Sequence, residues 1–242
     1  MRLSWHLQQH DQAIIDIVNE AKPEFVKLML YEDQTIANPF DPCIKVIGRV
    51  WVGGDDVERD YIAQGEHGGM LYHDRLVGFY ERHPWVHAFE SANEPSVATE
   101  DESSLLSDFT AAWAAQMRKA HRKTVGLNLS VGWPTLELGW QLEWVATRVD
   151  YIGVHEYGGP RMWEEVNWHC LRYRQALLRF GVPILIGECG IDGGVIGQPR
   201  KGWKTFATRG EYWDQLRWYN RELERDPLVK AAFIFTSGPT DD

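Results

Sequence analysis

Three short stretches gather polar side chains where apolar runs end. FESANEP carries Glu90, Asn93 and Glu94 before Pro95, VHEY carries His155, Glu156 and Tyr157, and ILIGECG carries Glu188. Two glutamates brought to one point are the minimum set for cleaving a glycosidic bond: a protonated one donates to the leaving oxygen, and an ionised one attacks the anomeric carbon. At a carboxyl separation of about 5 to 5.5 Å the attack is direct and configuration is retained. Arg49 and Trp51 follow IKVIG, and Asn128 and Trp133 follow TVGL, so these also end apolar runs.

Residues so far apart in the chain need a scaffold that aligns the ends of its strands. β-Branched runs at 3–7, 25–30, 44–51, 86–92, 124–131, 151–155, 183–187 and 231–235 alternate with stretches of helical spacing. Ile14, Ile15, Val18 and Ala21 mark one helix face that Pro23 ends. Leu105, Phe109, Ala112, Trp113 and Met117 mark a second, and Trp213, Leu216, Tyr219 and Leu223 a third. Eight strands alternating with helices predict an α/β fold, a compact (β/α)8 TIM barrel formed as one catalytic domain over residues 1–242. Only TSGPTDD follows Phe235, so the last helix is expected to be short or missing, or the chain to be a piece of a longer protein. Such barrels place chemistry at the carboxyl ends of their strands, where all three polar stretches fall.

The motifs F-E-x-x-N-E-P on strand four, H-x-Y on strand six and P-x-x-x-G-E-x-G on strand seven resemble those of clan A glycoside hydrolases, most nearly the family 5 endoglycanase type. The resemblance implies a retaining β-glycoside hydrolase acting by double displacement on a polysaccharide or oligosaccharide, without a cofactor. It makes Glu94 the acid/base, Glu188 the nucleophile and Asn93 the partner of the sugar 2-hydroxyl; Tyr157 would donate to Glu188, and His155 would line the site beside Glu94. Family 5 members carry an arginine near strand two, a histidine at strand three and a tryptophan ending strand eight. Lys27, Arg49 and Phe235-Thr236-Ser237 stand there instead. The wall of the sugar site then falls to Trp51, Trp133, Trp163 or Trp203, and Arg49 joins the substrate-binding candidates. Two rival readings are a barrel that binds glycan without cleaving it and a metal-dependent barrel hydrolase or isomerase using His155, Glu94 and Glu188.

The remaining signals are plainer. Glu188 alternates with Ile184 and Ile186, which would put it on their face. Glu90 is expected to point into the barrel and pair with Arg49 or Lys27, and Glu156 to point toward the helices. His67, His73, His83 and His87 match no metal-ligand spacing, so no metal site is expected. Cys43, Cys170 and Cys189, without a C-x-x-C pair, read as buried free thiols. Trp113 and Trp213 read as helix core. The glycine-rich segment 192–210 is either a flap over the sugar, with Trp203 as its contact, or a plain surface loop, and it lacks a phosphate-loop pattern. A net charge of -10 with scattered basic residues argues against nucleic acid, and no apolar run is long enough for a membrane span. MRLSWHLQQH has no export signal, which leaves a cytoplasmic protein or one secreted as part of a longer precursor with flanking domains.

Overall fold

A computed structural model describes residues 1–95, 97–199 and 201–237. Eight parallel strands close a barrel in chain order: β1 (Leu3–Leu7), β2 (Phe25–Tyr31), β3 (Lys45–Trp51), β4 (Ala88–Glu90), β5 (Lys123–Leu129), β6 (Tyr151–Gly158), β7 (Ile184–Ile191) and β8 (Val229–Ser237). β8 returns to β1 through Leu3↔Ala232 and Ser4↔Phe233. The fold is a (β/α)8 barrel. Every expected strand is present, with its ends adjusted. β4 is shorter than its apolar run, and β6 and β7 run on through the polar residues that follow theirs.

Between the strands lie α1 (Gln12–Ala21), α2 (Asp55–Ile62), α3 (Gly65–Arg82), α4 (Glu100–Lys119), α5 (Leu136–Gln141), α6 (Glu143–Ala146), α7 (Tyr173–Ala176) and α8 (Arg209–Glu224). Their starts are written in side chains. Asp11 accepts from the Ala13 and Ile14 amides to cap α1, and Thr99–Glu102 and Thr208–Glu211 form capping boxes at α4 and α8. Among the described residues no helix is long and apolar enough to cross a membrane. α8 precedes β8, and residues 238–242, on which the expectation of a short or missing last helix falls, lie outside the described residues.

Two apolar clusters reflect the two faces of the strands. Phe25, Ile47, Ala88, Val125, Leu185, Ala231 and Phe233 fill the barrel interior, whereas Ile184, Ile186 and most other core residues pack between sheet and helices. Continuing the interior rows of β2, β3 and β4 two residues toward the strand ends gives Lys27, Arg49 and Glu90, all buried. A polar layer therefore rests on an apolar plug.

Two expectations fail here. Trp213 is 54% exposed because the buried stripe of α8 runs through Tyr212, Gln215, Leu216, Tyr219 and Leu223, and one residue is a turn of about 100° around a helix. Trp113 is core as expected. Cys43 is exposed in the β2–β3 connection, whereas Cys170 and Cys189 are buried thiols.

Candidate active site

Glu188 reaches the opening through a defect in β7. Ile186 pairs with Val154 but Glu188 pairs with His155, so β7 spends one extra residue, Gly187, in a bulge. Alternation along β7 therefore breaks before Glu188. Ile184 and Ile186 face the helices, and the bulge reverses the parity after them, turning Glu188 toward the interior. The space there is tight: a Cβ on Gly187 would lie 3.0 Å from His155 Nε2 and 3.1 Å from Glu90 Oε1.

Glu94 is positioned by the loop after β4, with its backbone in the left-handed region at φ +41°, an uncommon conformation for a non-glycine residue. Two buried groups hold this loop. Glu58 of α2 accepts from the Asn93 amide at 2.8 Å, from both Arg49 Nη atoms at 2.8 and 2.9 Å and from the Tyr72 hydroxyl at 3.0 Å. Asn128 donates to the Ser91 and Ala92 carbonyls. It gets there through a second bulge, since β5 spends three steps from Gly126 to Leu129 while β6 spends two from Ile152 to Val154. Leu127 and Asn128 take positive φ, and the Asn128 amide occupies the space over Gly153.

The two carboxylates meet. One donor atom each from Glu94, His155 and Glu188 lies within 4.8 Å of the others. His155 Nδ1 shares a 2.9 Å hydrogen bond with Glu94 Oε1 and lies 3.6 Å from Glu188 Oε2, and Tyr157 donates its hydroxyl to Glu188 Oε2 at 2.7 Å. Burial, reinforced by the Glu188 charge, holds the Tyr157 hydroxyl well above its ordinary pKa, so it stays a donor. Below, Lys27 Nζ lies 2.9 Å from Glu90 Oε2 and 3.7 Å from Glu188 Oε1, and His6 Nδ1 lies 3.9 Å from Glu188 Oε1. The Lys27–Glu90 contact has ion-pair distance but lies outside hydrogen-bond angles, so it is coulombic. Burial, with the Lys27 charge next, pushes His6 well below its ordinary range and keeps it neutral.

The other candidates separate into two groups. Asn93 is half-buried beside Glu94 and its side chain makes no hydrogen bond among the described residues, while Trp51 and Trp133 stand 44% exposed at the rim. Arg49 is buried, and its guanidinium is taken by Glu58 and the Ser91 carbonyl, so it clamps the β4 loop and is not presented at the opening. Trp203 stacks on Tyr212 with ring centres 5.0 Å apart, and Trp163 meets Trp218 edge-on. Each therefore has a face or edge already covered. Glu90 pairs with Lys27, and Glu156 faces the helices, where it accepts from the Leu171 and Tyr173 amides and the Tyr219 hydroxyl. Segment 192–210 contains two short 3-10 turns, Gly193–Ile196 and Trp203–Thr205.

Two residues escaped the sequence reading. Glu58 sits in the acidic run DDVERD, where nothing distinguishes it from its exposed neighbours; only its distance from Tyr61 and Ile62 on the helix hinted at burial. Trp168, 50% exposed under the Arg172 guanidinium, packs over Gly132 beside Trp133. It follows β6 far enough to read as anonymous loop.

No family model and no curated protein sequence matches the chain. Solved structures do. An endo-β-1,3-glucanase of GH128 subgroup I from Amycolatopsis mediterranei, in complex with laminaritriose, superposes with a TM-score of 0.62 at 14% identity, over 98% of this chain and 89% of that one. The chain shares the (β/α)8 barrel fold of that enzyme. An endo-1,4-β-D-mannanase from Thermotoga petrophila gives a TM-score of 0.55 at 12% identity, over 100% and 89% of the two chains. A GH5-4 broad specificity endoglucanase from Clostridium longisporum gives 0.58 at 11%, over 93% and 76%.

Proposed function

We propose that the chain is a retaining β-glycoside hydrolase that cleaves a β-linked polysaccharide or oligosaccharide within one catalytic barrel domain. The observation that carries this reading is that one carboxylate oxygen each of Glu94 and Glu188 lies within 4.8 Å of the other at one opening. Inverting enzymes hold their carboxyl groups about 6.5 to 9.5 Å apart to admit a water, and retaining ones about 5 to 5.5 Å. The fold shared with enzymes acting on β-1,3-glucan and β-1,4-mannan supports a β-linked glycan as the substrate.

In the first step a Glu188 oxygen bonds to the anomeric carbon as the glycosidic C–O bond breaks. Its electron pair stays on the leaving oxygen, which takes the proton of Glu94. In the second, Glu94, now ionised, takes a proton from water as that water attacks the same carbon and releases Glu188. Loss of the Glu188 charge in the intermediate makes it easier for Glu94 to ionise, which suits the exchange of roles. His155 orients Glu94, Tyr157 orients Glu188, and Asn93 is placed for the neighbouring sugar hydroxyl.

The convergence of Glu94, His155 and Glu188 also favours a second reading, metal-assisted hydrolysis. Against it stands the Lys27 ammonium 3.7 Å from Glu188, which would repel a dication, and the Glu94 hydrogen bond that occupies His155 Nδ1. Activity that disappears with EDTA and returns with a metal would favour it.

The test is a panel of β-glucans, mannans, xylans and galactans with the first-formed product anomer read by NMR. The β-anomer is expected. Glu188→Ala should lower turnover roughly 10³-fold or more, and added azide should restore it as the α-glycosyl azide. Product of inverted configuration from the wild type, or near-normal turnover by Glu188→Ala, rules out the assignment.

A further inference from the structure

Lys27 is a lysine with no exposed surface, in a barrel interior, with one carboxylate on either side. Its distances of 2.9 Å to Glu90 and 3.7 Å to Glu188 make the two Coulomb attractions equal to within about 30%. The charge is shared, and only one of the two partners takes part in the proposed chemistry. The other ionisable groups around Glu188 are His6 from β1, Arg49 from β3, Glu94 after β4, His155 and Tyr157 from β6, and the neighbouring Cys189 thiol. His6 is neutral, and Arg49 is compensated by Glu58. Lys27, shared with Glu90, is thus the positive charge next to the nucleophile.

We propose that Lys27 and Glu90 act together as a charge-neutral positioning unit beneath Glu188, in which Glu90 draws off enough of the lysine charge to keep Glu188 ionised without making it inert. The proposal rests on the reading of Glu188 as nucleophile. Glu90, Lys27 and Glu188 together carry one negative charge. When Glu188 becomes an ester the remaining pair is neutral, so the intermediate leaves no uncompensated charge in the buried interior. Without Glu90, Lys27 would bind the Glu188 carboxylate alone and stand unpaired in the intermediate. Without Lys27, two carboxylates would face each other across the interior, which raises the cost of ionising them.

The experiment compares wild type with Lys27→Met, Glu90→Gln and the double variant by two readouts. One is the pH dependence of kcat/KM on the glycoside that the wild type cleaves best. The other is the titration of the Glu188 side chain in ¹³C-glutamate-labelled protein, assigned by its loss in Glu188→Gln, which needs no substrate. Lys27→Met should move the acidic limb and the Glu188 midpoint up by about one pH unit or more, and Glu90→Gln should move both down. The double variant, neutral again, should return to within about half a unit of wild type. A merely structural ion pair would weaken folding without opposite shifts. Midpoints that stay put, or that move the same way in both single variants, overturn the proposal. If a single variant fails to fold, the double variant still decides, since a midpoint displaced by about one unit there contradicts neutrality as the governing property. A wild type that cleaves no glycoside but shows the opposite shifts loses the hydrolase reading and keeps the charge unit; cleavage with unmoved midpoints does the reverse.

Discussion

Glu94 and Glu188 share an opening and have different surroundings. The Glu94 side chain is 27% exposed and bonded to His155, while that of Glu188 is 13% exposed and faces Lys27 and the Tyr157 hydroxyl. Glu188 thus faces a cation and a hydroxyl donor, and Glu94 is the wetter of the two. The assignment of roles can be separated by leaving group. In Glu94→Gln, kcat/KM on polymer should fall roughly 10²- to 10⁴-fold, because the departing sugar oxygen needs a proton. On a dinitrophenyl glycoside, whose leaving group departs unprotonated, the glycosylation step should hardly change. Equal losses on both substrates would show that Glu94 is not the donor.

At the scale of elements, two bulges and their glycines do the positioning. The β7 bulge turns Glu188 inward, and the β5 bulge lets Asn128 grip the loop that carries Glu94. That grip depends on Gly153 of β6, because a Cβ there would come within 1.9 Å of Asn128 Oδ1. Gly153→Ala should displace the amide, cost about 1 to 3 kcal/mol of stability by overpacking, and loosen Glu94. The expected result is a drop in kcat with a smaller change in KM, measured beside the urea midpoint. A stability loss with kcat untouched would mean that Asn128 serves the fold alone. Glu58 works on the other side of the same loop, where it draws Arg49, Tyr72 and the Asn93 amide to one carboxylate.

For the whole molecule, Glu156 joins the barrel to its shell: it leaves β6 on the helix side and collects the Leu171 and Tyr173 amides and the Tyr219 hydroxyl of α8. Burial pushes its carboxyl up from 4.5 to about 7, against the pull of those donors. The unfolded chain therefore ionises at this residue before the folded one. Between about pH 4.5 and 7 unfolding releases a proton, so this residue's contribution to stability is complete at the acid end and declines as pH rises, by a few kcal/mol at most. Denaturant unfolding at pH 4.5 and 7.5 should show that the wild type loses more, or gains less, across that interval than Glu156→Gln. Equal changes in the two proteins would place Glu156 in an environment without a desolvation cost.

Much was legible in local pattern. Eight apolar runs with helical spacing between them predict the barrel, because alternation and the 3.6-residue period are properties of neighbouring residues. The ends of those runs, together with the placement of polar residues there, mark Glu94, Glu188, His155 and Tyr157 as candidates, and the inward direction of Glu90 predicts a basic partner, Arg49 or Lys27, of which the structure shows Lys27. Pairing across long separations was not legible. His155 meets Glu94 over 61 positions, and Arg49 finds Glu58 instead of substrate or Glu90 only because α2 folds back over the strand ends. The parity of Glu188, the stacking of Trp203 on Tyr212 and the exposure of Trp213 and Cys43 were decided by register and closure. A bulge inserts one residue without altering the hydrophobic pattern around it, so its effect on direction appears only when neighbouring strands are paired.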